Sequence, residues 1–128
     1  MPINKEKKEK LNLIISNNDN LVKITVNTFN NTIAPVHIYL SGEIDKMVPD
    51  DNNNNTVVIG KASELKEKTI IFRSTASNPD GNSIKVSHTI FEEGGNSLTY
   101  TFPDDYTGIL PYNHSDLIQS YKFYVNFI

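Results

Sequence analysis

Ile84-Lys85-Val86-Ser87-His88-Thr89-Ile90 is the stretch that decides the fold, because polar and apolar residues alternate through it without a break. The same alternation continues in residues 97–102 and in the last eight residues, 121–128. A β-strand points successive side chains to opposite faces, so a period of two indicates a sheet with one face in a core and the other in water. The C-terminal half is therefore predicted to be a β scaffold.

Working outward from this half, the rest of the chain also reads as short strands between turn residues. The predicted strands cover residues 11–16, 21–29, 33–41, 43–48, 56–60, 69–74, 83–91, 97–102 and 121–128. Helix is indicated only at residues 61–68, where Ser63 is the expected N-cap, and as one turn at residues 115–119. This pattern predicts an all-β fold, an antiparallel β-sandwich of about 7–9 short strands, Greek-key-like, with one or two short helical turns.

Length and composition set the outer limits of the interpretation. A chain of 128 residues is one ordinary domain, here predicted to span residues 11–128 after a flexible polar N-terminal arm at residues 1–10. The net charge is −3 and Arg73 is the single arginine, which argues against a nucleic-acid partner. The absence of cysteine excludes disulfides and thiolate metal sites.

Targeting signals are missing from the sequence as it stands. No apolar run approaches the length of a transmembrane helix, and the N-terminal residues lack the pattern of a secretory signal peptide. The default expectation is a cytoplasmic protein without a transmembrane segment. Export by a signal-independent route stays open as an alternative.

The three histidines differ in their predicted surroundings. His88 has the parity of the apolar residues of its strand, so it is interpreted as a hydrogen-bonded core or sheet-edge histidine and not as a ligand. His37 falls on a polar face and is expected to be exposed. His114 stands beside Ser115 and Asp116, but no nucleophile elbow accompanies this trio, so the chain is predicted not to be an enzyme.

Acidic residues in the predicted loops are the candidate metal ligands. They are Asp50, Asp51, Asp80, Asp104 and Asp105. Carboxylate and amide oxygens suit Ca²⁺, and neighbouring asparagines could add carbonyl groups. However, EF-hand spacing is absent, and Asp and Asn are common in turns for structural reasons. A structural role in turns is thus favoured for these acids over a metal site. Ca²⁺ is the one cofactor that their chemistry suggests.

The irregular segment at residues 103–116 is the first candidate recognition surface. Its candidate partner-binding residues are Tyr106, Ile109, Leu110 and Tyr112. Tyrosine in a loop stiffened by proline suits recognition, because it adds contact area at low entropic cost. The alternative is that this loop folds back and covers one end of the core.

The C-terminal strand is the second candidate surface. It carries an outward Tyr124 and ends at Ile128. If this strand were a sheet edge, it could pair with a strand of another chain.

The leading hypothesis is a non-enzymatic binding or assembly module that works through protein–protein contacts, including self-association. The alternative is a Ca²⁺-dependent or peripheral membrane-lipid-binding β-sandwich that uses the acidic loops. Size, acidity and strand count resemble those of β-sandwich modules in general, including C2-like lipid binders and aegerolysin-like membrane binders. This resemblance is one of architecture, which does not fix function. The lack of tryptophan weakens the membrane-interface version.

Overall fold

In a computed structural model of the chain, two β-sheets pack face to face. The structure describes residues 10–40, 42–49, 55–79, 83–106 and 118–128. Within these residues the elements follow one another as β1 (Lys10–Leu13), β2 (Leu21–Phe29), β3 (Val36–Tyr39), β4 (Ile44–Val48), β5 (Asn55–Lys61), α1 (Ala62–Leu65), β6 (Thr69–Ser77), β7 (Lys85–Glu92), β8 (Ser97–Phe102) and β9 (Ile118–Phe127). The predicted all-β sandwich is confirmed.

The strands are divided between a five-stranded and a four-stranded sheet. The five-stranded sheet has the order β1-β9-β6-β3-β4, and the four-stranded sheet has the order β5-β2-β7-β8. All strand pairs are antiparallel except β1 with β9, which run parallel. β1 is thus the one parallel strand in a predominantly antiparallel sandwich. The period of two predicts which face a residue occupies but not the direction in which a strand runs.

The core lies between the sheets and is rich in aromatic side chains. Phe123 of β9 stacks on Phe72 of the neighbouring β6 at 5.0 Å between ring centroids and on Tyr100 of the opposite sheet at 4.3 Å. Phe102 and Tyr121 also stack across the sandwich, at 4.0 Å. Buried aromatic pairs add stabilisation to the area that they remove from water. The inward positions of the alternating strands therefore form one continuous core.

Several element boundaries differ from the prediction. Lys10 already belongs to β1, so the proposed arm loses its last residue, and its other residues lie outside the described part. Helix α1 begins at Ala62, so Ser63 is inside the helix and not its N-cap; its hydroxyl instead donates to Oδ1 of Asp19 at 2.9 Å. The helical turn expected at residues 115–119 is wrong for its last two residues, which belong to β9.

The C-terminal strand is not the free edge that the sequence suggested. β9 pairs with β6 from Ile118 to Asn126, and β1 covers its other side from Tyr124 to Phe127. The two terminal segments are joined further by hydrogen bonds from Ile128 N–H to the Leu13 carbonyl and from Ile15 N–H to the Ile128 carbonyl. Among the described residues, no helix is long and apolar enough to cross a membrane.

Candidate functional site

Only some of the predicted site residues fall in the part of the chain that the structure describes. Tyr106, Tyr124, Asp104 and Asp105 do. The remaining candidates lie outside the described residues, and they are Ile109, Leu110, Tyr112, Asp50, Asp51, Asp80, His114 and Asp116.

The two described candidate metal ligands have protein partners. Oδ2 of Asp105 accepts a hydrogen bond from Thr101 N–H at 2.7 Å, while the Asp105 N–H donates to the Thr101 carbonyl at 2.6 Å. This double contact covers part of the β8 edge that pairs with no other described strand. The Asp104 carboxylate lies 3.8 Å from Nζ of Lys85. No group of three or more His, Asp or Glu residues that could hold a metal ion occurs among the described residues, and the Ca²⁺ hypothesis stays a prediction for the other loop acids.

Tyr106 packs against the core at one end of the sandwich. Its ring meets the ring of Phe102 edge-on at 5.4 Å, and it is half-buried. The start of the 103–116 segment thus lies against the core, as in the alternative interpretation of this loop.

His88 is the buried polar centre of the sandwich. Its Nδ1 lies 2.8 Å from the Tyr100 carbonyl, and its Nε2 lies 2.8 Å from the Tyr121 hydroxyl. Because a carbonyl only accepts, Nδ1 carries the proton and Nε2 accepts from the tyrosine. His88 is on β7 and Tyr121 on β9, so this hydrogen bond links the two sheets.

Burial sets the protonation of this pair. Desolvation lowers the pKa of His88 from its ordinary 6.5 to about 4, and it raises the pKa of Tyr121. Both groups are therefore neutral at pH 7. Both ring nitrogens of His88 are occupied and the residue is fully buried, as the sequence predicts for a hydrogen-bonded core histidine.

Glu92 forms a second buried polar cluster that sequence analysis did not identify. Its Oε1 accepts from Ser16 N–H at 2.9 Å, and its Oε2 accepts from the Ser16 hydroxyl and from Nδ2 of Asn20 at 3.0 Å. The hydrogen bonds from Ser16 hold the pKa of Glu92 below its usual value. The carboxylate thereby fastens the segment between β1 and β2 to the end of β7. The available signal was parity, since Glu92 continues the inward positions of Ile84 and Ile90.

Replacing the Glu92 carboxylate tests this fastening. In Glu92→Gln one carboxylate oxygen becomes an NH₂ group, which faces donors and leaves a buried hydrogen bond unmade. We expect the unfolding free energy at pH 7 to fall by about 1–3 kcal/mol. Urea denaturation followed by circular dichroism measures the change. The exposed neighbour substitution Glu93→Gln is the control, and equal midpoints for the two variants would contradict a structural role for Glu92.

The outer face of the five-stranded sheet carries two side-chain rows that cross four of its strands. The apolar row pairs Ile44 of β4 with Tyr39 of β3, Tyr39 with Ile71 of β6, and Ile71 with Tyr124 of β9. Ile44 is 53% exposed, and the other three residues are half-buried. With adjacent strands about 4.8 Å apart, this row extends about 14 Å across the sheet.

The second row, the basic row, lies two residues along the same strands. It pairs His37 of β3 with Arg73 of β6, and Arg73 with Lys122 of β9, while Met47 of β4 stands beyond His37 and is 47% exposed. His37 is half-buried and not exposed as predicted, and its Nδ1 is fully buried. The structure thus brings Tyr124 together with residues from distant parts of the chain.

A cleft of about 310 Å³ opens at the side of the sandwich, next to β4. Its floor is formed by core residues such as Ile59 and Ile70, and its rim carries Asp45, Glu64 and Lys68. Asp45, the only acid in the strands of the five-stranded sheet, lines this cleft and has no register partner in either row of the outer face.

Comparison of this chain with protein-family models, with curated proteins and with solved structures finds no match.

Proposed function

We propose that this protein is a non-enzymatic binding module that makes protein–protein contacts through the outer face of its five-stranded sheet. The observation that carries this proposal is the apolar row of Ile44, Tyr39, Ile71 and Tyr124, which is contiguous across four strands, exposed at Ile44 and partly exposed at the other three residues. Contiguous exposed apolar patches with a polar border are typical of interaction surfaces, whereas single exposed apolar residues are not.

The composition of this face supports a protein partner. Tyrosine, methionine and arginine are enriched where proteins contact each other, and this face presents Tyr39, Tyr124, Met47 and Arg73. Lysine is depleted at such surfaces, and Lys122 is the one lysine in the two rows. The face therefore has the composition of an interface more than that of an ordinary solvated sheet.

The rigidity of the face also favours binding. β3, β6 and β9 each pair with a strand on both sides, so their backbones are held in place before any partner arrives. A preformed surface loses little conformational freedom on association, which leaves more of the contact energy for affinity. The buried His88 and Glu92, in contrast, are engaged in structural hydrogen bonds.

Site-specific photo-crosslinking tests which face meets a partner. Benzoylphenylalanine replaces Tyr124 on the outer face of the five-stranded sheet, or Thr99 on the outer face of the other sheet as the matched control. We expect irradiation in a lysate of the source cells to give a discrete crosslinked species from position 124 and none from position 99. Light scattering of the purified protein shows whether the species contains a second copy.

Competition then ties the crosslink to the apolar row. Excess unlabelled wild-type protein should abolish the crosslink at position 124, and excess Ile71→Glu protein, confirmed as folded by its melting temperature, should not. A charge at the centre of the row has to be desolvated at the interface, which strongly opposes binding. Equal competition by both proteins, or equal crosslinking from positions 99 and 124, would refute the proposed surface.

A further inference from the structure

We infer that the cleft beside β4 binds a small organic cation, an alkyl ammonium ion whose chain lies on the apolar floor and whose charge lies at the acidic rim. The cleft is separate from the proposed binding face, because it opens between the two sheets and not on the outside of one of them. Two β-bulges in the edge strands that line the cleft, together with the charges at its rim, point to such a ligand.

Each of the two edge strands that line the cleft carries one extra residue. The pairing of β4 with β3 skips Asp45, and the pairing of β5 with β2 skips Ile59. Both of these extra residues line the cleft. A β-bulge re-aims a side chain and is frequent next to active sites, so two bulges that meet at one cleft favour a binding site there.

The floor of the cleft is apolar, and little covers it from the side of β4. Leu65 and Ile70 belong to the floor, with the half-buried Leu40 beside them. Of the five residues of β4, only Val48 is buried, so most of this strand does not cover the core. Gly60 adds no side chain to the floor, where a Cβ would lie 3.5 Å from Leu65. The volume of about 310 Å³ is at the lower end of the range for small-molecule sites.

The rim of the cleft carries more negative than positive charge. Asp45 and Glu64 contribute carboxylates, and Lys68 contributes one ammonium group. All three residues are exposed, and none of them belongs to an ion pair among the described residues. The rim therefore attracts a cation, and the net charge of −3 of the whole chain adds to this attraction.

An alkyl ammonium ion fits the cleft better than a metal ion or a peptide strand does. Ca²⁺ takes about six to eight oxygen ligands, whereas the rim offers two carboxylates and a lysine that repels the metal. The bulges in β4 and β5 interrupt the regular edge that an added strand needs. A small ammonium ion with an apolar chain instead contacts the carboxylates and the floor at once.

Ligands that share one chain but differ in their head groups test this assignment. Hexylammonium, hexanol and hexanoate have the same six-carbon chain, and methylammonium keeps the charge without the chain. NMR titration follows the amide signals of Gly60 and Leu65, with Thr99 on the far edge strand β8 as the reference. We expect hexylammonium to shift the signals at the cleft and to bind about fivefold more tightly than the other three ligands. Acetyl-lysine amide and Ca²⁺ serve as probes for a protein partner and for a metal ion.

Paired variants connect the binding to the rim. Asp45→Asn with Glu64→Gln should weaken hexylammonium binding about fivefold at low salt. Glu43→Gln with Glu67→Gln removes two exposed acids that do not line the cleft, and it should leave the affinity within about twofold of wild type. Lys68→Gln should instead strengthen binding about twofold, because it removes a like charge. All five positions are exposed, so the melting temperatures should stay close to that of wild type.

The results distinguish this ligand from the alternatives. Equal binding of hexylammonium and hexanoate, or equal losses in the two paired variants, would show that the acidic rim does not select the ligand. Shifts that lie away from the cleft, or no binding by any ligand of the series, would overturn the site itself. Tighter binding of acetyl-lysine amide than of hexylammonium would refute a small molecule in favour of a protein side chain, and larger shifts with Ca²⁺ would refute it in favour of a metal. The crosslink at position 124 tests the outer face independently of all these results.

Discussion

Acidification from pH 7 to pH 4 is expected to lower the unfolding free energy by roughly 3 kcal/mol through His88 alone. The native protein keeps His88 neutral, because burial lowers its pKa from 6.5 to about 4. In the unfolded chain the same imidazole takes up a proton below its ordinary pKa. Between these two values the unfolded state binds more protons, so unfolding becomes easier as the pH falls.

The sign and the window of this effect follow from the depressed pKa. The stabilisation by His88 is complete above about pH 6.5 and is lost progressively as the pH falls through about 4, with a slope approaching 1.4 kcal/mol per pH unit. Glu92 also has a lowered pKa, but its contribution is lost only below its ordinary value of 4.5. The interval between pH 6.5 and 4.5 therefore reports mainly on His88.

Urea unfolding of wild type at half-unit steps of pH measures the slope. His88→Gln should lose this slope between pH 6.5 and 4.5, because it removes the group whose pKa differs between the folded and unfolded chain. A direct check that needs no variant is the NMR titration of the His88 ring, which should show no protonation above about pH 5. A wild-type curve that is flat from pH 7 to 4.5, or a ring that titrates near 6.5, would show that His88 is not held neutral.

The position of His88 in the core can be predicted from the sequence alone. Its parity with Val86 and Ile90 places it on the inward face of β7, and the structure confirms this. The same rule places Phe123 inward and Tyr124 outward on β9. Parity is a local property of the backbone, so it can be read from neighbouring residues without knowledge of the rest of the fold.

The candidate site depends instead on which strands become neighbours. Tyr39, Ile71 and Tyr124 are far apart in sequence and meet only because β3, β6 and β9 pair in a specific register. The alternation within each strand is compatible with many strand orders, and a register shift of one residue would turn the opposite face outward. For the same reason the sequence suggested a free edge at β9, where β1 in fact closes part of the strand.

The adjacent residues Phe123 and Tyr124 allow the division between core and binding face to be tested directly. Phe123 is fully buried and contacts Phe72, Tyr100 and His88, with ring centroids 4.3–5.0 Å away. Phe123→Ala removes these contacts and leaves a cavity between the sheets, so we expect a loss of about 3–5 kcal/mol of unfolding free energy. Tyr124→Ala, one residue further along, should lose about 1 kcal/mol or less, because its ring stands on the outer face.

The two substitutions should therefore act on different properties of the same strand. Urea denaturation at pH 7 measures stability, and competition by each unlabelled variant for the crosslink at position 124 measures binding through the outer face. We expect Phe123→Ala to shift the unfolding midpoint strongly, and Tyr124→Ala to weaken binding with nearly the same midpoint as wild type. If Phe123→Ala does not fold, Phe123→Leu takes its place, because it leaves a smaller void. Its loss of unfolding free energy should be smaller than that expected for Phe123→Ala but still larger than that of Tyr124→Ala. Equal losses of stability at positions 123 and 124 would mean that the outer face contributes to folding as much as the core does, and would remove the main reason for assigning that face to a partner.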